Sequence, residues 1–140
     1  MAAGAAPGAE AGDRAEAPTT QAPGSARELF AGHPVAVAVH DVVLDALRRL
    51  GPVSERVTVS QVAFRRARGF AFLWRPDQYL HGDHAPVVLT VALGRRDRSP
   101  RWKEVVHPSE RQWIHHLEVR DVAEIDDEVL GWLAEAADRA

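Results

Sequence analysis

Between residues 57 and 119 the chain consists of short apolar stretches separated by turn signals, and this pattern restricts the fold more than any other feature. Val57 and Val59 alternate with polar residues, and the apolar phase then shifts by one position at Ser60-Gln61. Because a shift of one residue turns a strand over, a bulge or a break is expected there. Connections of hairpin length predict an antiparallel sheet rather than a parallel one.

Four to five strands are predicted in this block. They are a stretch ending at Phe64, a strand with Phe70, Phe72 and Trp74 on one face, a nearly wholly apolar strand over 87–93, and two strands over 102–106 and 112–119. His107-Pro108-Ser109 is predicted to connect the last two. Residues 94–100 form an Arg-rich loop.

Helical patterns flank the predicted sheet. Apolar residues recur at helical spacing over 34–50, and Gly51-Pro52 ends that segment. A second stripe runs from Ile125 to Ala136, with three acids in its first turn, where the helix dipole favours them. The capping-box spacing of Ser25 and Glu28 predicts a short additional helix.

The expected fold is therefore α+β, an antiparallel sheet of four to five strands flanked by an N-terminal and a C-terminal helix. Both helices are expected on one face of the sheet, with the other face uncovered. The predicted contact between the two layers joins Val39, Val43, Leu47, Leu50, Val129 and Trp132 or Leu133 to Val88, Val91, Phe72 and Leu117.

The first 26 residues differ in composition from the rest. Ala, Gly and Pro fill 17 of these positions, and Leu, Ile, Val, Phe and Trp are absent. Such a segment buries too little apolar area to offset the entropy of ordering it. The sequence predicts a disordered tail over 1–26 and a single domain over 27–140. Three acids in the tail argue against a signal or transit peptide.

Several functional classes are excluded by composition. The chain has no cysteine, so it has no disulfide scaffold, no thiolate metal site and no cysteine nucleophile. No apolar run approaches the roughly 18 residues that a membrane helix needs, so no membrane partner is expected. A cytoplasmic protein is predicted. High Ala and Arg with a single Lys suggest a bacterial genome rich in GC.

Charge is unevenly distributed along a chain whose formal net charge is only −3. Residues 65–103 carry nine basic and three acidic side chains, whereas residues 104–140 carry three basic and ten acidic ones. The basic middle segment also contains tryptophans, and Arg with Trp can grip anions or stack on bases. The candidate ligand-binding residues are Arg65, Arg75, Arg101, Lys103, Trp113 and His115.

Three alternatives to this candidate surface stay open. In a purely structural arrangement the tryptophans are core residues and the arginines pair with the acidic C-terminal helix. A nucleic-acid-binding accessory domain would use the same Arg and Trp side chains, although such domains are usually basic as a whole. An enzyme would need an unrecognised His/Arg site, since no standard catalytic motif is present.

No metal site and no cofactor is predicted. His81-Gly82-Asp83-His84 brings ligand types together on a loop, but its spacing matches no standard metal motif. His115 and His116 are adjacent on a predicted strand, so their side chains point to opposite faces and cannot share one ion. The predicted function is a non-catalytic binding module for a protein or a small anionic ligand.

Five segments carry a resemblance to a known family. They are Val59-Ser60-Gln61-Val62-Ala63-Phe64-Arg65, Gly69-Phe70-Ala71-Phe72, Arg101-Trp102-Lys103-Glu104-Val105, Trp113-Ile114-His115-His116-Leu117-Glu118, and Asp126-Asp127-Glu128-Val129 with Trp132-Leu133 and Ala136. Together they resemble the DUF5655 family, a bacterial domain of unknown function. The resemblance covers roughly residues 28–139 and implies the domain limits, without implying a chemistry. Members often carry Lys where this chain has Val59.

Overall fold

The computed structural model describes residues 24–78 and 82–140. Its helices are α1 (Ala26–Leu29), α2 (Pro34–Leu50) and α3 (Asp127–Asp138). Its strands are β1 (Ser54–Val57), β2 (Val62–Arg65), β3 (Gly69–Trp74), β4 (Val87–Leu93), β5 (Glu104–Ser109) and β6 (Gln112–Val119). Short 3-10 turns occupy Pro76–Gln78 and Val122–Glu124.

The strands form one antiparallel sheet in the order β1-β2-β3-β4-β6-β5. The predicted α+β class is confirmed, but the sheet has six strands instead of four to five. The additional strand arises at the phase shift, because the chain turns back on itself between β1 and β2. The backbone N–H of Thr58 donates to the carbonyl of Gln61 across that turn.

The helices begin and end where the local sequence predicts. Ser25 caps α1 by accepting a hydrogen bond from the backbone N–H of Glu28 at 3.2 Å. Pro34 occupies the first turn of α2, where its missing N–H costs nothing. Asp126 caps α3 by accepting from the backbone N–H of Val129 at 3.2 Å.

Both long helices lie on one face of the sheet, which we call the helix face. Val39, Val43 and Leu47 of α2 pack in one core with Val129 and Leu133 of α3. The strands contribute to this core Val62, Phe64, Phe70, Ala71, Leu73, Val87, Leu89, Val91, Leu93, Leu117 and Val119. The two predicted helices therefore bury their apolar stripes in one shared layer.

Three predicted core contacts are wrong. Phe72 and Val88 are buried, but they alternate with Leu73 and Leu89 and so lie on the opposite face, which we call the far face. Leu50 ends α2 and is 49% exposed. The helical period alone could not tell which strand residues face the helices, because β3 and β4 are buried on both faces.

The boundary of β5 also differs from the prediction. Trp102 lies before the strand, and His107-Pro108-Ser109 belongs to β5 instead of connecting it to β6. The register between the two strands shifts between Val106 and Ser109, and this irregularity accommodates the proline. The hairpin turn therefore falls at Glu110-Arg111.

The predicted tail falls almost wholly outside the described residues, which begin at Gly24. The limits of 1–26 and 27–140 therefore stay predictions. Among the described residues, no helix has the length and apolar character needed to cross a membrane.

The position of Leu89 in the middle of β4 predicts a large effect of truncation. Leu89 is fully buried, so Leu89→Ala should lower the free energy of unfolding by about 2–5 kcal/mol. The same change at the half-exposed Leu50 should cost far less. Chemical denaturation of both variants measures the difference, and equal losses would contradict the assigned faces.

Candidate functional site

Four of the six predicted site residues lie at one end of the sheet, around β5 and β6. Trp113 and His115 are on the helix face of β6, while Arg101 and Lys103 precede β5. Arg65 is instead the last residue of β2, and Arg75 follows β3. Since β3 and β4 separate β2 from β6, Arg65 is roughly 14 Å from that end by strand spacing alone. The structure does not bring all six together.

Arg75 is engaged away from the other candidates. Its Nη1 lies 2.5 Å from Nε2 of His33 and 3.3 Å from both carboxylate oxygens of Asp77. Its Nε is buried and has no hydrogen-bond partner among the described residues. Only 15% of the side chain is exposed, so it presents little surface to a ligand.

Trp113 is half-buried and stacks on His107 of β5. Their ring centroids are 3.4 Å apart and the planes differ by 9°. This stack joins the two strands close to their hairpin turn, so it stabilises the pairing of β5 with β6 at that point.

The connection between β4 and β5, residues 94–103, crosses the helix face and is called the strap below. Arg95 holds it to α3 through two hydrogen bonds of 2.8 Å with the carboxylate of Glu135. Such a bidentate pair fixes both position and orientation. The pKa of the Arg95 guanidinium is raised by this contact, against the opposing effect of burial.

Arg101 attaches the other end of the strap to the start of α3. It lies 2.8 Å from a carboxylate oxygen of Glu128 and 3.0 Å from one of Asp126. It also donates to the carbonyl of Glu124 at 2.9 Å, and its guanidinium lies over the ring of Trp132. These carboxylates raise the pKa of Arg101. The guanidinium of Arg101 is therefore engaged in contacts within the domain, the arrangement in which arginines pair with the acidic C-terminal helix.

The carboxylate of Asp97 organises the middle of the strap. It accepts from the indole Nε1 of Trp102 at 2.8 Å, from the backbone N–H of Ser99 at 3.1 Å and from Arg95 at 3.1 Å. Burial alone would raise the pKa of Asp97, but these hydrogen bonds outweigh it and hold the pKa below its usual value. Trp102 in turn packs on Trp132 of α3, with ring centroids 4.1 Å apart.

His115 supports the strap from the sheet beneath it. Its Nε2 accepts a hydrogen bond from the backbone N–H of Asp97 at 3.0 Å, so this nitrogen carries no proton. Nδ1 then carries the proton and donates to the carbonyl of Trp113 at 3.1 Å. Burial lowers the pKa of His115, which agrees with a neutral ring that uses both nitrogens. His115 is therefore a support of the site and has no free nitrogen for a ligand.

A cleft of about 270 Å³ opens between the strap and the start of β5, and we call it the strap cleft. Its lining residues are Arg96, Asp97, Arg98, Ser99, Trp102, Lys103, Glu104 and Val105. Arg96, Arg98 and Lys103 are exposed, and none of them has a carboxylate within ion-pair distance among residues 24–78 and 82–140. Three cations thus surround one cleft, with Glu104 as its exposed acid.

Sequence reasoning included Lys103 in the site but omitted Arg96, Arg98 and Asp97. The omission has a physical reason, because five cations of the strap are equivalent in the sequence until the partners in α3 are known. A local signal for Asp97 was present, because the carboxylate of an Asp in a turn often accepts a hydrogen bond from the backbone N–H two residues later. The structure has that turn, and Ser99 continues it by accepting from the N–H of Arg101.

The far face carries a separate buried polar chain that the sequence did not indicate. Nε1 of Trp74 donates to Oγ1 of Thr90 at 2.9 Å, and that hydroxyl lies 2.7 Å from Nδ1 of His116. Because an indole N–H can only donate, the hydroxyl oxygen accepts from Trp74, and its own proton is available for the bond with His116. Burial, with the neighbouring His115, lowers the pKa of His116 to about 4.

His115 and His116 do point to opposite faces, as strand alternation predicts. The described residues hold no group of three or more His, Asp or Glu side chains that suits a metal ion. The His81–His84 candidate lies partly outside the described residues, since the structure does not describe His81.

Comparison with known families identifies one family for this chain, and the description of that family names no activity. Residues 26–139 match the family described as "Domain of unknown function (DUF5655)". The chain belongs to the DUF5655 family. This confirms the resemblance found in the sequence and leaves the role of the strap cleft open. No curated protein and no solved structure matches the chain.

The two buried histidines of this DUF5655 domain predict a loss of stability in acid. In the unfolded chain each would bind a proton near its ordinary pKa of 6.5, whereas folded His116 binds one only near 4. The unfolded state binds more protons in this interval, so the free energy of unfolding should fall as pH drops from about 6.5 to about 4. Denaturation at a series of pH values measures the slope.

His116→Asn should make that slope shallower, because one of the two groups no longer titrates. Val59→Asn, at an exposed position without a titratable group, should leave the slope unchanged and is the control. An identical slope for wild type and His116→Asn would show that His116 does not resist protonation in the fold.

Proposed function

We propose that this domain is a non-catalytic binding module that receives an anionic group, a carboxylate or a phosphate, in the strap cleft. One observation carries the proposal. Arg96, Arg98 and Lys103 surround the cleft without carboxylate partners in the described chain, whereas Arg95 and Arg101 of the same strap are paired with α3. Unpaired cations around a concave surface attract and retain anions.

The support beneath the strap favours binding because it reduces the cost of ordering. Three hydrogen bonds fix the strap around Arg96 and Arg98. The backbone N–H of Asp97 donates to His115, and the backbone N–H of Ser99 and the indole N–H of Trp102 donate to the carboxylate of Asp97. A ligand that binds a fixed loop loses less free energy to immobilisation than one that must order the loop. The guanidinium groups that extend from this fixed backbone can form bidentate contacts with a carboxylate or a phosphate.

The dimensions of the cleft indicate a small anionic group. Its volume of about 270 Å³ is just below the roughly 300–1,000 Å³ typical of sites for whole small molecules. A phosphate or a carboxylate fits such a space, and the remainder of a larger ligand would lie outside it. A location in the bacterial cytoplasm, which the sequence predicts, stays part of this proposal.

The two other functional alternatives gain no specific support from the described residues. Nucleic-acid binding usually needs a stripe of cations that follows the phosphate backbone, and here three cations share one short connection. Catalysis by His115 would need a free ring nitrogen facing the cleft, and both nitrogens are used within the fold.

Titration with inorganic pyrophosphate tests the proposal. We expect wild-type protein to show NMR shift changes centred on the amides of Asp97 and Ser99, and Arg96→Gln/Arg98→Gln to weaken binding about tenfold or more. Added salt should also weaken it. The matched control is Arg48→Gln/Arg111→Gln, which removes two exposed cations elsewhere.

The two double variants have the same net charge, so a difference between them reports the site and not the overall charge. Equal affinities for pyrophosphate in the two variants would overturn the proposal. Shift changes spread evenly over all exposed arginines would overturn it as well.

A further inference from the structure

Within residues 24–78 and 82–140, strand β5 is the last strand of the sheet and pairs only with β6. Five of its six residues are exposed, and Val105 is half-buried. Among the described residues, no strand, helix or loop covers the outer edge of β5 with backbone hydrogen bonds. The unpaired N–H and C=O groups of such an edge are a template for another extended chain.

The opposite edge of the sheet is less suited to this role. β1 has four residues, of which three are half-buried. Its Glu55 is bound to the ring of His40 from α2. β5 is longer and more exposed, so it is the edge that a partner can reach.

The two flanks of β5 have different chemistry. Val105 pairs with His115 and so lies on the helix face, beside the strap cleft with Arg96, Arg98 and Lys103. Val106 pairs with Ile114 and so lies on the far face. Val106 is 38% exposed, which makes it one of the exposed large apolar side chains of the domain.

These two flanks define the side chains of a strand that would pair with β5. Alternate residues of that strand would lie beside the cations of the strap, and the intervening residues would lie beside Val106. Acidic side chains fit the first set and apolar side chains the second. Charge complementarity therefore selects an extended acidic segment over other occupants of this edge.

We propose that the anionic group taken by the strap cleft belongs to an extended, acidic segment of a partner protein, which adds to the outer edge of β5 as a seventh strand. This inference rests on the proposed function. Backbone hydrogen bonds to β5 supply affinity, and the alternation of acidic and apolar side chains supplies specificity. The cleft then holds one carboxylate at a time from a longer chain, which agrees with its small volume.

The test uses the full chain and a capped hexapeptide in which Glu and Val alternate. On binding, the backbone amides of residues 104–106 should exchange with solvent more slowly, as expected for a paired edge. The control peptide has three Glu followed by three Val, which gives the same charge without the alternation. We expect it to bind about tenfold more weakly.

Val106→Asn should weaken binding of the alternating peptide about fivefold or more and leave inorganic pyrophosphate binding unchanged. Val59→Asn is the matched control, because Val59 is 49% exposed and lies in the β1–β2 turn. It should leave the affinity for both ligands unchanged.

The outcomes separate this inference from the proposed function. Equal affinity for the two peptides, with unchanged exchange in β5, would overturn the pairing while pyrophosphate binding still supports the anion site. Tight peptide binding with slowed exchange, but without any effect of Arg96→Gln/Arg98→Gln, would support the edge and overturn the role of the strap cleft.

Discussion

The carboxylate of Asp97 is the contact on which the arrangement of the strap depends. It orients Trp102 and Arg95 at the same time, and these two side chains join the strap to Trp132 and Glu135 of α3. Without this carboxylate a buried indole N–H would lose its acceptor, which costs more than the hydrogen bond itself contributes. Fixing the strap also separates its cations into those paired with α3 and those left facing the cleft.

Two adjacent histidines show how one strand can serve two faces of the sheet. His115 accepts from the backbone of the strap on the helix face, and His116 shares a hydrogen bond with the Thr90 hydroxyl on the far face. Both rings are neutral because burial opposes their protonation. A charged imidazole could not accept the bond from Asp97, so the support of the strap depends on the neutral state of His115.

The sequence predicted features that depend on local periodicity and missed those that depend on long-range partners. The helix over 34–50, the order of helices and strands, and the opposite faces of the two histidines all follow from spacing along one element. The sixth strand was missed because a turn between two strands and a bulge within one strand produce the same one-residue shift in the apolar pattern of the sequence. The face of Phe72 was wrong because β3 is apolar on both sides. Which cations face a ligand depends on α3, and no local pattern encodes that.

The ring nitrogens of the two histidines test the account of the strap most directly. Nitrogen NMR near neutral pH distinguishes a protonated ring nitrogen from an unprotonated one. The structure predicts a neutral His115 with its proton on Nδ1, and a neutral His116. A proton on Nε2 of His115 would contradict the account, because the backbone N–H of Asp97 would then have no acceptor and His115 would not support the strap.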